Sequence, residues 1–348
     1  MSEERTIKRK RKVDKRANPP GGIREMALEP AFNYFMSAKI SEGIRKRTQV
    51  DYSNTWRYFT DWLVEENYKV NYVHEITTEM CRNYILYLTV DAPRFKGHKY
   101  IHNDQGKGLS SATINMRIRS LKVAFNFWYK EEFIRKSPMD NIQCQKVDID
   151  KIESFTDEQI EALLGACDQR TYVGFRDYVF QWCLLDSAMR INELLSIKPE
   201  DIDIKTRSVE LAAQFNKNRR SRMVPLSADT IKLLQELIDE NRAHFPHAKK
   251  VFLSVYGEEV KDTQMNKRLK YYGDITGVGK EIRTTAHTWR HTAARNYILN
   301  GGDPYTLMRL LGHSSIAMTR RYVQITPEDV RIKHEQFSPI KKFRTKLR

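Results

Sequence analysis

Six positions dispersed through the second half of the chain carry side chains suited to work on a phosphate ester. Arg190 lies in Ser187-Ala188-Met189-Arg190-Ile191-Asn192-Glu193-Leu194. Lys217 falls between two alternating segments, the second of which ends Arg222-Met223-Val224-Pro225-Leu226. His287-Thr288-Trp289-Arg290-His291 places a histidine and an arginine three apart, and Leu311-Gly312-His313-Ser314-Ser315 is followed nine residues after the histidine by Tyr322. Displacement at a phosphodiester puts negative charge on the nonbridging oxygens, so preorganised cations supply much of the catalysis. Arginine suits that task because its planar fork donates bidentately and stays charged. Other chemistries find no motif. There is no GxxxxGK[ST] phosphate loop, since Gly279-Lys280 is followed by Glu281 and Asp274 stands where its first glycine would be, and there is no HExxH or EF-hand loop. Cys81, Cys144, Cys167 and Cys183 are widely spaced without a CxxC pair. They read as reduced thiols, neither zinc ligands nor a disulfide scaffold, and none has an activating context for a nucleophile.

Elements must bring these positions together. From about Leu28 to Lys136 the patterning is helical: Tyr52, Trp56, Phe59 and Leu63 recur at helical spacing, as do Ile114, Ile118, Leu121, Phe125 and Trp128. These stripes predict a core. Arg117, Arg119 and Lys122 lie off the second stripe and can face a phosphate backbone. Asp91 to Leu109 reads as a long polar loop, a length that is usually functional or mobile. The pattern stops around Ser137-Pro138 and through Val147-Asp148-Ile149-Asp150, which predicts a linker there. Thr156-Asp157-Glu158-Gln159 forms a capping box ahead of Ile160, Leu163 and Leu164. Residues 171–197 predict two helices; Arg207 to Ala213 and Arg219 to Leu226 alternate as a hairpin with Asn216-Lys217-Asn218 at its turn. Val251 to Ser254 is expected to add a short strand, and helices resume from Val260.

The chain has 348 residues, which predicts about two domains on the usual ~100–200 residues per domain. No apolar run reaches the roughly 18–20 residues of a membrane span, and the basic N-terminus lacks the apolar core of a secretory signal. A cytoplasmic protein is expected. Sixty basic residues against 44 acidic give a formal net charge of +16. Residues 1–24 carry +6 and Lys341 to Arg348 carry +5, which leaves the 316-residue body at only +5. Basic ends of this kind wrap a polyanion or steer an encounter with one, or serve solubility alone, and nucleic acid is the favoured partner.

Taken in order, Arg190, Lys217, His287-x-x-Arg290, His313 and Tyr322 resemble the signature of the tyrosine recombinase/phage integrase family. The resemblance covers about 155–325, and the region 28–145 is similar to that family's helical core-binding domain. It implies a mainly α fold: a SAM-like core-binding domain at 28–146 and a mostly helical catalytic domain at 147–329 with a small antiparallel sheet. A basic flexible tail at 1–27, too short to fold as a separate arm-binding domain, and a basic segment at 330–348 would flank them. The resemblance makes Tyr322 the nucleophile, forming a 3′-phosphotyrosyl link and releasing a 5′-hydroxyl. Two successive transesterifications conserve the bond energy, so no ATP, metal or other cofactor is expected. Arg190 and Arg290 would hold the nonbridging oxygens, and Lys217 would protonate the departing oxygen. His287 would accept the tyrosine proton or share acid/base work with Lys217, and His313 would hydrogen-bond a nonbridging oxygen. Glu193, one helical turn past Arg190, would position the cationic or histidine side chains; His291 reads as structural. Arg219 and Arg220, beside Lys217, join Arg117, Arg119 and Lys122 as expected DNA contacts. Two departures stand out: Ala188 where the family usually has glycine, and Trp289 where it usually has leucine.

The same resemblance implies a two-domain clamp around double-stranded DNA at recombination core sites. It also implies a homo-tetramer on two sites, passage through a Holliday junction, and room for an accessory DNA-bending protein. The 330–348 segment would dock on a neighbouring protomer through Ile332 and Phe337. Three roles stay open on this reading: integrase or transposase of a mobile element, resolution of chromosome or plasmid dimers, and a noncatalytic DNA-binding module on the same scaffold.

Overall fold

The aromatic stripes do build a core. In the computed structural model, which describes residues 24–95, 105–147, 153–211, 221–322, 331 and 334–340, the chain divides into two units, Met1–Ile149 and Asp150–Arg348. Among its described residues the first holds four α-helices: α1 (Leu28–Ser41), α2 (Lys46–Glu65), α3 (Thr78–Val90) and α4 (Ser111–Lys130). Trp56, Phe59 and Leu63 of α2 and Ile114, Ile118, Leu121, Phe125 and Trp128 of α4 are all buried, with Tyr52 packed partly against them. Trp56 and Trp128 meet edge to face at 5.0 Å, as do Phe59 and Tyr84 of α3. Such pairs contribute about 0.5–1.5 kcal/mol each beyond area burial. The Trp128 indole N–H donates to the Ala31 carbonyl at 3.0 Å, so this fully buried ring is polar-satisfied and ties α4 to α1. Thr77 and Ser110 cap α3 and α4 through their hydroxyls.

Chain beyond α4 still packs on this core. Phe133, Ile134, Ser137, Met139 and Ile142 are buried, and the Asn115 side chain exchanges hydrogen bonds with the Gln145 backbone. The described ends of the Asp91–Leu109 segment meet in a Pro93–Lys107 bridge; residues 96–104 lie outside the described residues.

In the second unit the Thr156 capping box forms as expected. The Thr156 hydroxyl accepts from the Gln159 N–H, and the Gln159 side chain accepts from the Thr156 N–H at 3.1 Å, opening α5 (Asp157–Gly165). Then come α6 (Tyr172–Ser187) and α7 (Ile191–Leu195), and a three-stranded antiparallel sheet of β1 (Ile202–Asp203), β2 (Ser208–Leu211) and β3 (Arg222–Pro225) in that order. Val209 pairs with Val224, and both are fully buried. The turn with Asn216, Lys217 and Asn218 lies outside the described residues. The helices α8 (Ala228–His244), α9 (Asp262–Thr276), α10 (Ala286–Leu299), α11 (Pro304–Leu311) and α12 (Ile316–Thr319) follow, the last running into a 3-10 turn, Arg320–Tyr322. The Val251–Ser254 strand does not form: Val251, Phe252 and Leu253 are fully buried as loop, with one isolated bridge from Leu253 to Glu259. The fold is therefore mainly helical, with a helical first unit and a small antiparallel sheet in the second.

Candidate active site

α7 is a single helical stretch of five residues, and its N-terminal end holds two charges. Arg190 sits at its N-cap and Glu193 in its first turn. The Glu193 carboxylate accepts from the Arg190 backbone N–H and from Arg190 Nη1, both at 2.8 Å. Glu193 is fully buried, and burial by itself would raise its carboxyl; the Arg222 fork and charge and then the Arg190 bonds outweigh that and lower it.

α10 brings in the second arginine. Thr285 caps it, and Trp289 is fully buried with its ring 5.0 Å from Phe155, so the departure at this position is filled by an aromatic partner. Arg290 is 4% exposed and donates to two carbonyls, Ala188 at 2.6 Å and Leu311 at 2.8 Å. Burial, and then the nearby Arg190 charge, pull this guanidinium down to about 10, so it remains a cation at neutral pH. Ala188, the other departure, closes α6 in the left-handed region at φ +51°. That conformation aims its carbonyl at Arg290.

α11 ends on a Schellman turn: the Gly312 N–H bonds the Arg309 carbonyl, the His313 N–H bonds the Met308 carbonyl, and Gly312 holds φ +63°. The chain leaves that turn as His313, whose Nδ1 pairs with the Thr319 hydroxyl of α12 at 2.9 Å. One turn later Tyr322 stands near parallel to the His313 ring, at 6.1 Å, and 5.2 Å from the His291 ring. Tyr322 also packs partly against the small cluster of Ala188, Ala293, Ala294, Ile298, Leu307 and Leu311.

Arg190, His287, Arg290, His291, His313 and Tyr322 line one pocket of about 410 Å³ together with Ile191, Asn192, Ala286 and Met318. Five of the six expected catalytic side chains thus converge, with Glu193 beneath them. Lys217, Arg219 and Arg220 lie outside the described residues. In the first unit, Arg117 lies 4.4 Å over the Tyr58 ring and donates to the Tyr84 hydroxyl at 3.4 Å, Arg119 is exposed and Lys122 is half-buried. Among the described residues no group of histidine, cysteine and carboxylate side chains could hold a metal ion. Cys81, Cys167 and Cys183 are buried, and burial pushes the Cys81 and Cys167 thiols up to about 12.

A model of the phage integrase family matches residues 153–329, and one of the phage integrase SAM-like domain matches residues 28–148. The chain belongs to the phage integrase family. It is a tyrosine recombinase, an enzyme that breaks and rejoins DNA. The recombinase is 24% identical over 309 residues to tyrosine recombinase XerD of Staphylococcus epidermidis, covering 88% of this chain and 97% of that one. It is 28% identical over 229 residues to tyrosine recombinase XerC of Chlamydia caviae, covering 65% and 72%. Its fold is similar to the Tn1549 transposon integrase in complex with circular intermediate DNA, with a TM-score of 0.67 at 21% identity over 89% of this chain and 99% of that one. It is also similar to the lambda integrase dimer bound to a core site, with a TM-score of 0.63 at 14% identity over 86% and 77%. No helix among the described residues of the recombinase is long and apolar enough to cross a membrane.

Two site residues escaped the reading of types and spacing. His291, expected to be structural, lines the pocket with its Nε2 2.7 Å from His287 Nε2. One of these nitrogens must donate and the other accept, so the pair holds a proton between them. Their i, i+4 spacing on α10 was the available signal. Arg222 makes a bidentate ion pair with Glu193 at 2.8 and 3.1 Å. Strand alternation puts it in phase with Val224, and a charge on the buried face of a strand calls for a partner.

Proposed function

We propose that this recombinase cleaves and rejoins double-stranded DNA at specific core sites through a 3′-phosphotyrosyl intermediate on Tyr322, and that it integrates and excises a mobile element. The convergence of Tyr322 with two arginines and three histidines on one pocket carries the reading. The Tyr322 hydroxyl oxygen attacks the scissile phosphorus and the bond to the 5′ oxygen breaks. His287 takes the tyrosine proton, alone or through the pair it forms with His291. Lys217, assigned from its place in the sequence order, gives a proton to the departing 5′ oxygen, which leaves as the 5′-hydroxyl. Arg190 and Arg290 hold the nonbridging oxygens as charge builds on them, with His313 beside them. A second 5′-hydroxyl then reverses the step, so the chemistry balances without an external energy source.

DNA as partner is supported by the net charge of +16, by the DNA named in the Tn1549 integrase complex and by the core site named in the lambda integrase complex. In this reading residues 28–146 bind the core site and 147–329 carry the chemistry. Arg119 and Lys122, with Arg219 and Arg220, reach the backbone, while Arg117 contributes from its place over Tyr58. Four protomers assemble on two sites, with 330–348 bridging neighbours; of its two expected anchors Phe337 is 64% exposed and Ile332 lies outside the described residues. A second role, resolution of chromosome or plasmid dimers, is favoured by the match along 97% of the staphylococcal XerD.

The test uses nicked duplexes from the DNA flanking the gene, with wild type and Tyr322→Phe run side by side on a denaturing gel. A covalent protein–DNA adduct is expected with wild type only, while both proteins shift the duplex equally in a native gel. Equal adducts from both proteins would remove Tyr322 as nucleophile. Cleavage at the junction of a mobile element supports integration; cleavage confined to a chromosomal or plasmid resolution site supports the second role.

A further inference from the structure

We propose that Arg222 is a positioning residue for strand cleavage: by gripping the Glu193 carboxylate and the α11 C-terminus at once, it sets Arg190, Arg290 and His313 around a single phosphate. The proposal rests on the pocket being the cleavage site.

Arg222 opens β3 and turns inward in phase with Val224, leaving its side chain 13% exposed. Its Nη1 donates to Glu193 Oε1 at 3.1 Å and its Nη2 to Oε2 at 2.8 Å, while Nε donates to the Leu310 carbonyl at 3.2 Å. An ionised carboxylate offers about four acceptor sites. On Glu193 two are taken by Arg190, through its backbone N–H and Nη1, and two by Arg222. Glu193 is therefore a fully occupied anchor. Without Arg222, half of its partners and one full charge vanish from a carboxylate whose side chain is 1% exposed. Such a group takes a proton or turns away, and Arg190 is then held by less.

The second grip concerns the opposite wall of the pocket. Leu310 and Leu311 present successive carbonyls at the end of α11; Arg222 takes the first and Arg290 the second. The two guanidinium groups together fix the turn from which His313 emerges. Gly312 belongs to the same device: a Cβ there would lie 2.8 Å from Arg222 Nη1 and 3.0 Å from its Cζ, at a φ that already disfavours side chains. A lysine at 222 keeps the charge but cannot reach two oxygens and a carbonyl in one plane.

The experiment compares wild type, Arg222→Lys, Arg222→Met, Glu193→Gln and the double variant Arg222→Met/Glu193→Gln. Single-turnover adduct formation on the nicked duplex is measured from pH 5 to 9, with duplex affinity at the same salt. Arg222→Met is expected to slow adduct formation about 100-fold, the scale of a roughly 1 Å misplacement, with affinity held within about twofold. Arg222→Lys recovers only a minor part. The double variant is no slower than the slower single variant, because both act through one pair. The charges facing Glu193 are Arg190, Arg222 and, at 4.0 Å, Arg290. Removing one cation raises the carboxyl, so Arg222→Met gains a rate that climbs with pH, and Glu193→Gln erases that climb. Wild-type rates in Arg222→Met, affinity lost in proportion to rate, or additive losses in the double variant would each overturn the proposal. Melting temperatures at the same pH values separate it from the cleavage reading. The Arg222→Met deficit should widen from pH 5 to pH 8 and lose that slope when Glu193→Gln is added; a pH-independent deficit overturns the proposal. Absence of any wild-type adduct on a tightly bound duplex counts against the cleavage reading instead.

Discussion

Ala188 shows how one methyl group can be both a strain and a filling. Its left-handed backbone costs about 1–2 kcal/mol for a residue with a Cβ. Glycine would relieve that, but it gives back about 0.4–1 kcal/mol in unfolded-state freedom and about 0.8 kcal/mol of methyl burial against Ala293 and Leu311. Ala188→Gly should therefore shift stability by less than about 0.8 kcal/mol in either direction, measurable by denaturant unfolding, and leave the carbonyl on Arg290 in place. Glu193 carries a pH signature. Its folded carboxyl lies below the ordinary value, so it contributes stability above the unfolded carboxyl's range, lost as pH falls through the folded value. Acid unfolding below about pH 4.5 should be steeper in wild type than in Glu193→Gln, followed by circular dichroism. At this scale the sequence was readable as a set of residue types, since Arg190, His313 and Tyr322 do meet at one pocket. It was least readable where the role comes from a neighbour. Arg222 grips a carboxylate 29 positions away, and His291 meets a ring it touches only because α10 is helical.

Among elements, periodicity spoke clearly wherever a helix buries one face. The Thr156 box and the stripe of Ile160, Leu163 and Leu164 are local, so they could be read without any partner. β1 has two residues, too few to alternate, and exists only because β2 offers it an edge. Val251 to Leu253 misled for the reverse reason: a run buried on all sides reads as a strand whatever its backbone does. The joint between α6 and α9 was invisible to periodicity. Asp177, fully buried, accepts from Arg176 at 2.6 and 3.0 Å, from Arg268 at 2.7 Å and from the Tyr272 hydroxyl at 3.0 Å. Asp177→Ala strands two cations, one of them buried, and should cost about 3–5 kcal/mol, read as a lower urea midpoint.

For the whole molecule, two cores and a strongly uneven charge were legible from composition and patterning, because burial and net charge are sums that survive ignorance of geometry. With +16 overall, duplex affinity should fall by at least about 10³ between 50 and 200 mM salt, checked by titration in a filter-binding or anisotropy series. A flat salt profile would point to a partner other than a polyanion. The placement of Tyr322 bears on the host cell. Its carrier is a four-residue helix and a single 3-10 turn, held by Thr319 against His313, while Arg290 is buried and Arg190 is tied to the buried Glu193. Short elements open at less cost than the long packed helices around them. If Tyr322 is the nucleophile proposed above, it can withdraw while the arginine site stays folded, and an idle copy of the enzyme would leave the genome around it intact.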